Sequence, residues 1–162
     1  ARRAGVPRGA YHFYYFCRTA AEQAQWFIDN VPNDPTALPP VLDIEWNAHS
    51  TTCRDRPDRE HIISEMRIFL NMLEAHYGKR PMIYTAPDFY EANLRRAFPN
   101  DTFWLRSVTA HPRVKYGSRQ WQFWQYTGTG RVTGIEGDVD LNVFNGNAEE
   151  WQAWLAEHGA GV

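Results

Sequence analysis

The sequence has little excess charge, no long apolar segment and no recognisable export signal. Its formal net charge is −2 at pH 7 and its pI is near 6.3. These values argue against electrostatic binding of nucleic acid, because such proteins usually carry a strongly basic surface. No window approaches the roughly 18 consecutive apolar residues of a membrane span, and residues 1–5 include no apolar signal-peptide segment. We therefore expect neither nucleic acid nor a membrane as a partner.

The sequence also lacks the common signatures of metal, nucleotide and serine-hydrolase sites. Its histidines form no His-Glu-x-x-His pattern, and two cysteines alone do not make a zinc site. The glycines from Gly128 to Gly134 have the wrong spacing for a phosphate loop, so they favour a turn. No serine lies in a Gly-x-Ser-x-Gly elbow. We expect no metal and no cofactor, and carboxylates remain as the candidate catalytic groups.

The two cysteines, Cys17 and Cys53, each follow a predicted strand. In an α/β barrel both positions fall on the same rim, so a disulfide between them is geometrically allowed, and two free thiols are the alternative. A disulfide would favour an oxidising compartment.

Aromatic residues are abundant, with 7 Trp, 8 Tyr and 9 Phe making up 15% of the chain. Flat amphipathic rings stack on sugar faces, so this composition suits a carbohydrate groove. An aromatic-rich core explains the composition equally well.

Strand-like and helix-like segments alternate along the chain, which has the length of a single domain over residues 1–162. Strand–helix repetition implies parallel pairing, so we predict an α/β fold with a barrel-like or open sheet. The predicted strands cover residues 10–16, 41–46, 80–85, 102–107, 120–127 and 138–143. The predicted helices cover residues 20–30, 59–77, 87–97 and 148–157.

The predicted strand 41–46 carries two acids, Asp43 and Glu45. Strand side chains alternate between faces, so both carboxylates share one face. Two ionised carboxylates on a strand with apolar neighbours cost free energy, so stability alone does not explain them. The alternative is that these acids merely meet solvent, a helix N-terminus or an arginine at the strand end. Because the apolar neighbours predict burial, we interpret the pair as catalytic.

A second acidic pair, Asp138 and Asp140, lies on one face of the predicted strand 138–143, with Asn142 in register. In a barrel the ends of several strands converge on one site, so Asp140 is a candidate to face the first pair across it. Capping of a turn in solvent is the alternative, and it is more plausible for Asp138.

Five short motifs follow one another along the chain: GAYHF at 9–13, PVLDIE at 40–45, PMIYT at 81–85, WQYT at 124–127 and VDLN at 139–142. In their order and spacing they resemble the glycoside hydrolase family 25 lysozymes, which are 1,4-β-N-acetylmuramidases of the Chalaropsis and Cellosyl type. The resemblance runs from Gly9 to Gly146 and implies a modified TIM-like (β/α) barrel. It also implies hydrolysis of the β-1,4 bond between N-acetylmuramic acid and N-acetylglucosamine in peptidoglycan.

The resemblance assigns roles to the acids. Glu45 is expected to be the general acid, Asp43 to stabilise positive charge or orient the substrate acetamido group, and Asp140 to support them. Their spacing along a strand selects neither the retaining nor the inverting geometry, and we favour a substrate-assisted course. The residues expected to bind sugar are Tyr84, Trp124, Tyr126, Trp46 and Asn142.

One feature departs from the family. Its members begin with a strand carrying an Asp-Val-Ser type motif, a helix and a second strand, and residues 1–9 match none of these. We therefore expect an incomplete or open barrel in an N-terminally truncated chain, with a free edge on the strand 10–16 that favours self-association. The activity of such a chain is uncertain, so a non-catalytic cell-wall glycan-binding domain and a chitinase-like glycosidase are the alternatives. A wall substrate implies a secreted or periplasmic protein whose signal peptide lies outside this sequence.

Overall fold

The computed structural model describes residues 1–159, in which six strands form one sheet in chain order. Strands β1 to β5 are mutually parallel, and β6 runs antiparallel to β5. The strands are β1 (Tyr11–Phe13), β2 (Val41–Asp43), β3 (Met82–Thr85), β4 (Phe103–Arg106), β5 (Phe123–Gly130) and β6 (Val139–Phe144). The α-helices are α1 (Ala20–Asn30), α2 (Arg59–Tyr77), α3 (Pro87–Phe89), α4 (Pro112–Tyr116) and α5 (Ala148–Glu157).

The sheet is open. Within residues 1–159, β1 pairs only with β2 and β6 pairs only with β5. Parallel neighbours need a crossover, and helical segments supply it between each pair from β1 to β5. The predicted α/β class with an incomplete barrel is therefore confirmed as an open half-barrel.

Local sequence signals fix the two long helices. The Thr19 hydroxyl accepts a hydrogen bond from the Glu22 backbone, and the Glu22 carboxylate accepts one from the Thr19 backbone, so α1 begins with a capping box. Asp58 caps α2, and Gly78 ends it in the left-handed conformation at φ 67°. Glycine adopts that conformation without steric cost, so the predicted start and stop of α2 are confirmed.

One face of the sheet packs against α1 and α2. Leu42, Ile44 and Ile83 are fully buried on this face, because every second strand residue points away from the acids. From the helices, Phe27 and Phe69 enter the same apolar cluster. Burial of this kind contributes about 1.5–3 kcal/mol per large apolar side chain, so these positions hold β2 and β3 firmly in register.

The other face of the sheet carries the acids and is covered at one end by α5. Trp154 and Leu155 pack there against Val41 and Met82, which lie at the starts of β2 and β3. Asp43 shares this face but lies at the end of β2, beyond the helix. Helix α5 therefore fills the amino-terminal end of the half-barrel and leaves the carboxyl ends of the strands open.

The helix predicted over 87–97 is wrong in its second part. The α-helical turn Pro87–Phe89 continues as a π-helical turn over Tyr90–Leu94. Just beyond it, the guanidinium of Arg119 donates a 2.7 Å hydrogen bond to the carbonyl oxygen of Ala97. The Ala97 carbonyl, which has no helical N–H partner, is thus satisfied by a side chain from a distant segment.

Strand limits differ from the prediction in two places. The predicted strand 10–16 pairs only over Tyr11–Phe13, because the chain beyond it turns towards α1. Strand β5 extends to Gly130, past its predicted end at 127, because the register with β6 shifts twice and keeps pairing to Val139. Such shifts are typical of β-bulges, which sequence alternation alone does not reveal.

Candidate active site

Two adjoining cavities lie at the carboxyl ends of the strands, where this class of fold collects its functional side chains. The first cavity has a volume of about 730 Å³ and is lined by the loop after β2, including Trp46 and His49. The second cavity, of about 480 Å³, is lined by strand residues that include Asp43. Glu45 and Arg106 line both cavities. The two cavities therefore form one groove with Glu45 at its centre.

Backbone pairing fixes the positions of the two acids. Between them, the Ile44 N–H donates to the carbonyl oxygen of Tyr84 at 2.9 Å, which continues the pairing of β2 with β3. The Thr85 hydroxyl donates to the Ile44 carbonyl, also at 2.9 Å. With Ile44 buried and held on both sides, Asp43 and Glu45 are forced to project into the groove.

Asp43 lies in an environment that disfavours its charge. Burial raises the pKa of Asp43 to about 7, and the charges of Glu45 and Asp140 contribute further. Its Oδ1 atom is buried and has no hydrogen-bond partner among the described residues. Buried polar atoms are nearly always satisfied, so this atom is available to a ligand.

Glu45 is perturbed in the same direction. Burial raises its pKa, the guanidinium of Arg106 opposes that shift, Asp88 adds to it, and His49 opposes it. A carboxyl group that keeps its proton at mildly acidic pH is suited to act as a general acid. The structure thus provides two acids with raised pKa values close together at the end of β2.

Asp140 on β6 reaches the same groove. It lines the second cavity together with Asp43 and Glu45, and its charge raises the pKa of Asp43. Gly128 makes room for it, since a Cβ added there would lie 3.3 Å from Asp140 Oδ1. The antiparallel pairing of β5 with β6 therefore brings the third predicted acid to the pair, while the role of each acid stays a prediction.

Two of the predicted sugar-binding residues line the groove. Tyr84 lines the second cavity, donates its hydroxyl to Gln125 and packs edge-on against Trp104 at 5.6 Å between ring centroids. Trp46 lines the first cavity, and the guanidinium of Arg56 lies 4.8 Å from its ring centroid. Both rings are thus held in place by neighbours and can offer a face or edge to a sugar.

The other three predicted binding residues are placed differently. Trp124 donates its indole N–H to the Ser107 carbonyl at 2.8 Å, and it does not line either cavity. Tyr126 is 41% exposed and also lies outside both linings. Asn142 accepts a 2.8 Å hydrogen bond from the indole N–H of Trp104, so it contacts the groove through that ring.

The groove residues that sequence reasoning missed include Trp104, Arg106 and Gln125. Trp104 pairs in register with Tyr84, and residues in register share a face of the sheet. Alternation then places Arg106 on that face too. The segment TFWLRS therefore contained the signal, but only the pairing of β3 with β4 makes it readable.

Comparison with known proteins identifies the relationship. The model of the family described as "Glycosyl hydrolases family 25" matches residues 1–135, a range that includes Asp43 and Glu45. A solved structure of a family 25 glycosyl hydrolase from Bacillus anthracis has a TM-score of 0.83 and 40% sequence identity, covering 93% of this chain and 70% of that one. The chain belongs to family 25 of the glycosyl hydrolases. The predicted resemblance is thereby confirmed.

Other family 25 relatives carry informative names. The bacterial lysozyme from Streptomyces coelicolor has a TM-score of 0.80 and 33% identity, covering 100% of this chain and 76% of that one. Lysozyme M1 from Streptomyces globisporus is 36% identical over 161 residues, covering 91% of this chain and 53% of the relative. This family 25 chain spans about half the length of the curated relatives it matches.

The two cysteines of this family 25 chain form a disulfide. Cys17 follows β1 and Cys53 lies in the loop after β2, with their Cα atoms 5.6 Å apart. Asn47, in the same loop, donates to the Tyr14 carbonyl at 3.0 Å. The disulfide and this hydrogen bond tie the wall of the first cavity to the chain after β1.

In the part of the chain that the structure describes, no group of three or more His, Cys, Asp or Glu side chains is placed to hold a metal ion. Within the same residues, no helix has both the length and the apolar character needed to cross a bilayer.

Proposed function

We propose that this protein hydrolyses the β-1,4 bond between N-acetylmuramic acid and N-acetylglucosamine in peptidoglycan. One observation carries the proposal: Glu45 lies where the two cavities meet, beside Asp43, whose buried Oδ1 atom has no hydrogen-bond partner among residues 1–159. A glycosidase needs a proton donor at the bridging oxygen, with room for a sugar on either side. The names of two relatives, "Lysozyme M1" and "N,O-diacetylmuramidase", support peptidoglycan as the substrate.

In the proposed reaction Glu45 protonates the bridging oxygen. Its raised pKa keeps the proton on the carboxyl to a higher pH than an ordinary glutamate allows, which suits a proton donor. The sugar that develops positive charge occupies the second cavity, which holds Asp43 and Asp140. Positive charge at that sugar stabilises both carboxylates in their ionised form and is stabilised by them in turn.

Asp43 has a second task in this scheme. Its unpartnered Oδ1 atom is suited to accept the N–H of the substrate acetamido group. That hydrogen bond would orient the acetamido oxygen towards the reacting carbon, as a substrate-assisted course requires. Ionisation of Asp43 on binding would then strengthen the contact.

Clearing of a suspension of purified peptidoglycan tests the function. We expect the unmutated chain to lower the turbidity, and Glu45→Gln to reduce the rate by at least about a hundredfold. Glu157→Gln, at the exposed end of α5, is the matched control and should leave the rate unchanged. Tight binding without clearing would instead indicate a wall-glycan-binding protein. If the products carry new reducing ends on glucosamine rather than on muramic acid, the cleavage is chitinase-like.

We propose a secreted or periplasmic location, because the proposed substrate lies outside the cytoplasm. The disulfide between Cys17 and Cys53 supports this, because such bonds persist mainly in oxidising compartments. We also propose self-association through β1, which has a single neighbouring strand within residues 1–159.

A further inference from the structure

Arg106 is the last residue of β4 and lines both halves of the groove. Its backbone is fixed, because its carbonyl accepts a 2.6 Å hydrogen bond from the Tyr116 hydroxyl and its Cα pairs in register with Gln125. Its guanidinium, in contrast, forms no hydrogen bond and no salt bridge with any residue from 1 to 159, although the side chain is half-buried. A partly buried cation without a partner costs free energy, so the fold alone does not explain it.

Other arginines of this chain show how a structural guanidinium is held. Arg119 donates to backbone carbonyls, including that of Ala97 at 2.7 Å, and lies 4.4 Å from the ring centroid of Phe103. Arg80 forms salt bridges with Asp101 and Glu74 at 2.7 and 2.9 Å. These side chains satisfy their donors within the protein. Arg106 directs the same five donors into a cavity.

The charges around Arg106 define what it can bind. Among the described residues that line the two cavities it is the single arginine or lysine, and the neighbouring carboxyl groups belong to Glu45, Asp88, Asp43 and Asp140. Arg106 lowers the pKa of Glu45, yet does not form a salt bridge with it. The guanidinium is therefore close to the candidate acid and remains free for a ligand.

Two sugars flank Glu45 when it protonates the bond between them. The sugar in the second cavity, beside Asp43 and Asp140, is the one whose bond is cleaved, and in a muramidase that sugar is N-acetylmuramic acid. It differs from N-acetylglucosamine by a lactyl ether that bears a carboxyl group. A planar guanidinium matches a carboxylate with two parallel hydrogen bonds.

We propose that Arg106 binds a carboxylate of the muramic acid unit at the cleaved bond and so selects this sugar over glucosamine. The inference rests on the proposed function and deepens it. The carboxylate has two sources with the same chemistry. It is the lactyl group itself in glycan strands without stem peptides, or an acidic residue of the stem peptide in strands that carry them.

Matched substrates separate these sources. The first pair is peptide-free peptidoglycan strands with free lactyl carboxylates and the same strands after amidation of those groups. The second pair is peptide-bearing strands with free and with amidated acidic residues. For the unmutated chain we expect kcat/KM to favour the free carboxylate by about ten- to a hundredfold in at least one pair. The pair that shows the preference identifies the source.

Variants of Arg106 then test the residue. Arg106→Gln should abolish the preference, Arg106→Lys should keep part of it, and Arg67→Gln, exposed on α2 away from the groove, should keep all of it. Far-ultraviolet circular dichroism verifies that each variant is folded, and the lysine variant tests the idea even if the glutamine variant does not fold.

The pH profile gives an independent readout. Because the guanidinium lowers the pKa of Glu45, Arg106→Gln should move the alkaline limb of the kcat/KM profile to higher pH, and Arg106→Lys should move it less. The inference is overturned if the unmutated chain treats free and amidated strands alike in both pairs, or if Arg106→Gln retains the preference. If the unmutated chain cleaves none of the four substrates, the proposed function itself fails.

Discussion

Asp43 and Asp140 lie on different strands, β2 and β6, yet both line the second cavity, and the charge of Asp140 raises the pKa of Asp43. This relationship depends on the order of strands in the sheet, because three strands separate β2 from β6. It also makes Asp43 the most informative group for measurements of stability and of pH dependence.

The stability of the protein should depend on pH through Asp43. Its pKa rises from 3.8 to about 7 on folding, so the folded state binds this proton more tightly than the unfolded state. The contribution of Asp43 to the free energy of unfolding is therefore fully present below about pH 4, and it is lost as the pH rises through about 7. Replacement by asparagine removes the loss. Between pH 4 and pH 8 the free energy of unfolding of Asp43→Asn should gain up to roughly 4 kcal/mol relative to the unmutated chain.

Urea denaturation at pH 4, 6 and 8 measures this difference. Asp55→Asn, at an exposed loop position, is the control and should show no such trend. A difference between Asp43→Asn and the unmutated chain that stays constant over this range would contradict the assigned environment of Asp43.

Two glycines of β5 should give opposite results when they are replaced by alanine. A Cβ at Gly130 would lie 2.6 Å from Leu141 Cδ1 and 3.0 Å from the Val139 carbonyl oxygen, so Gly130→Ala should destabilise the pairing of β5 with β6. Overpacking of this kind typically costs about 1–3 kcal/mol. Thermal unfolding measures the loss.

A Cβ at Gly128 would instead meet the Asp140 carboxylate, at 3.3 Å from Oδ1. Gly128→Ala should therefore lower the rate of peptidoglycan clearing, and it should lower the melting temperature less than Gly130→Ala does. If Gly128→Ala instead loses more stability and less activity than Gly130→Ala, then Gly128 does not make room for Asp140.

Loss of the disulfide should lower stability. The bond joins Cys17 to Cys53 across 36 residues of sequence, and closing a loop of that length in the unfolded chain is worth roughly 3–4 kcal/mol in the entropy model. The double replacement Cys17→Ser, Cys53→Ser should lose about that much in urea denaturation. Dithiothreitol should reproduce the loss in the unmutated chain and leave the double variant unchanged, and equal stability of all samples would refute the prediction.

Self-association through β1 should be sensitive to charge at its edge. Tyr11 is 69% exposed on this strand, and lysine at an edge position opposes strand pairing. Sedimentation velocity over a range of concentrations should show a dimer of the unmutated chain that Tyr11→Lys disperses. Val114→Lys, at a 72% exposed position on α4, should leave the dimer intact. A chain that stays monomeric at all concentrations would rule out the proposal.

Much of the fold was readable from the sequence because the decisive signals are local. The capping box from Thr19 to Glu22, the Asp58 cap and the Gly78 stop place the long helices correctly. The alternation around Asp43 and Glu45 correctly predicts one shared face, since apolar Leu42 and Ile44 are buried opposite. Each of these depends on residues a few positions apart.

The parts that sequence reasoning missed depend on distant segments. The π-helical turn over Tyr90–Leu94 precedes carbonyls that Arg119 binds from elsewhere in the chain. The face on which Trp124 lies depends on the register of β4 with β5, which pairs it with Leu105 of the helix-facing cluster, and its role in sugar binding stays a prediction. The face that a strand residue occupies follows from that register, and the register is set by tertiary packing.

The sequence by itself determined the candidate catalytic groups of this protein: an Asp-Ile-Glu strand end, a late aspartate and motifs that resemble family 25. Only the tertiary structure decided that Glu45 lies where two cavities meet and that Asp140 reaches Asp43. It also left the guanidinium of Arg106, beside them, without a hydrogen bond or salt bridge to any residue from 1 to 159. The physical reason is that local preferences act over a few residues, whereas burial and electrostatic coupling arise when the sheet brings separate strands together.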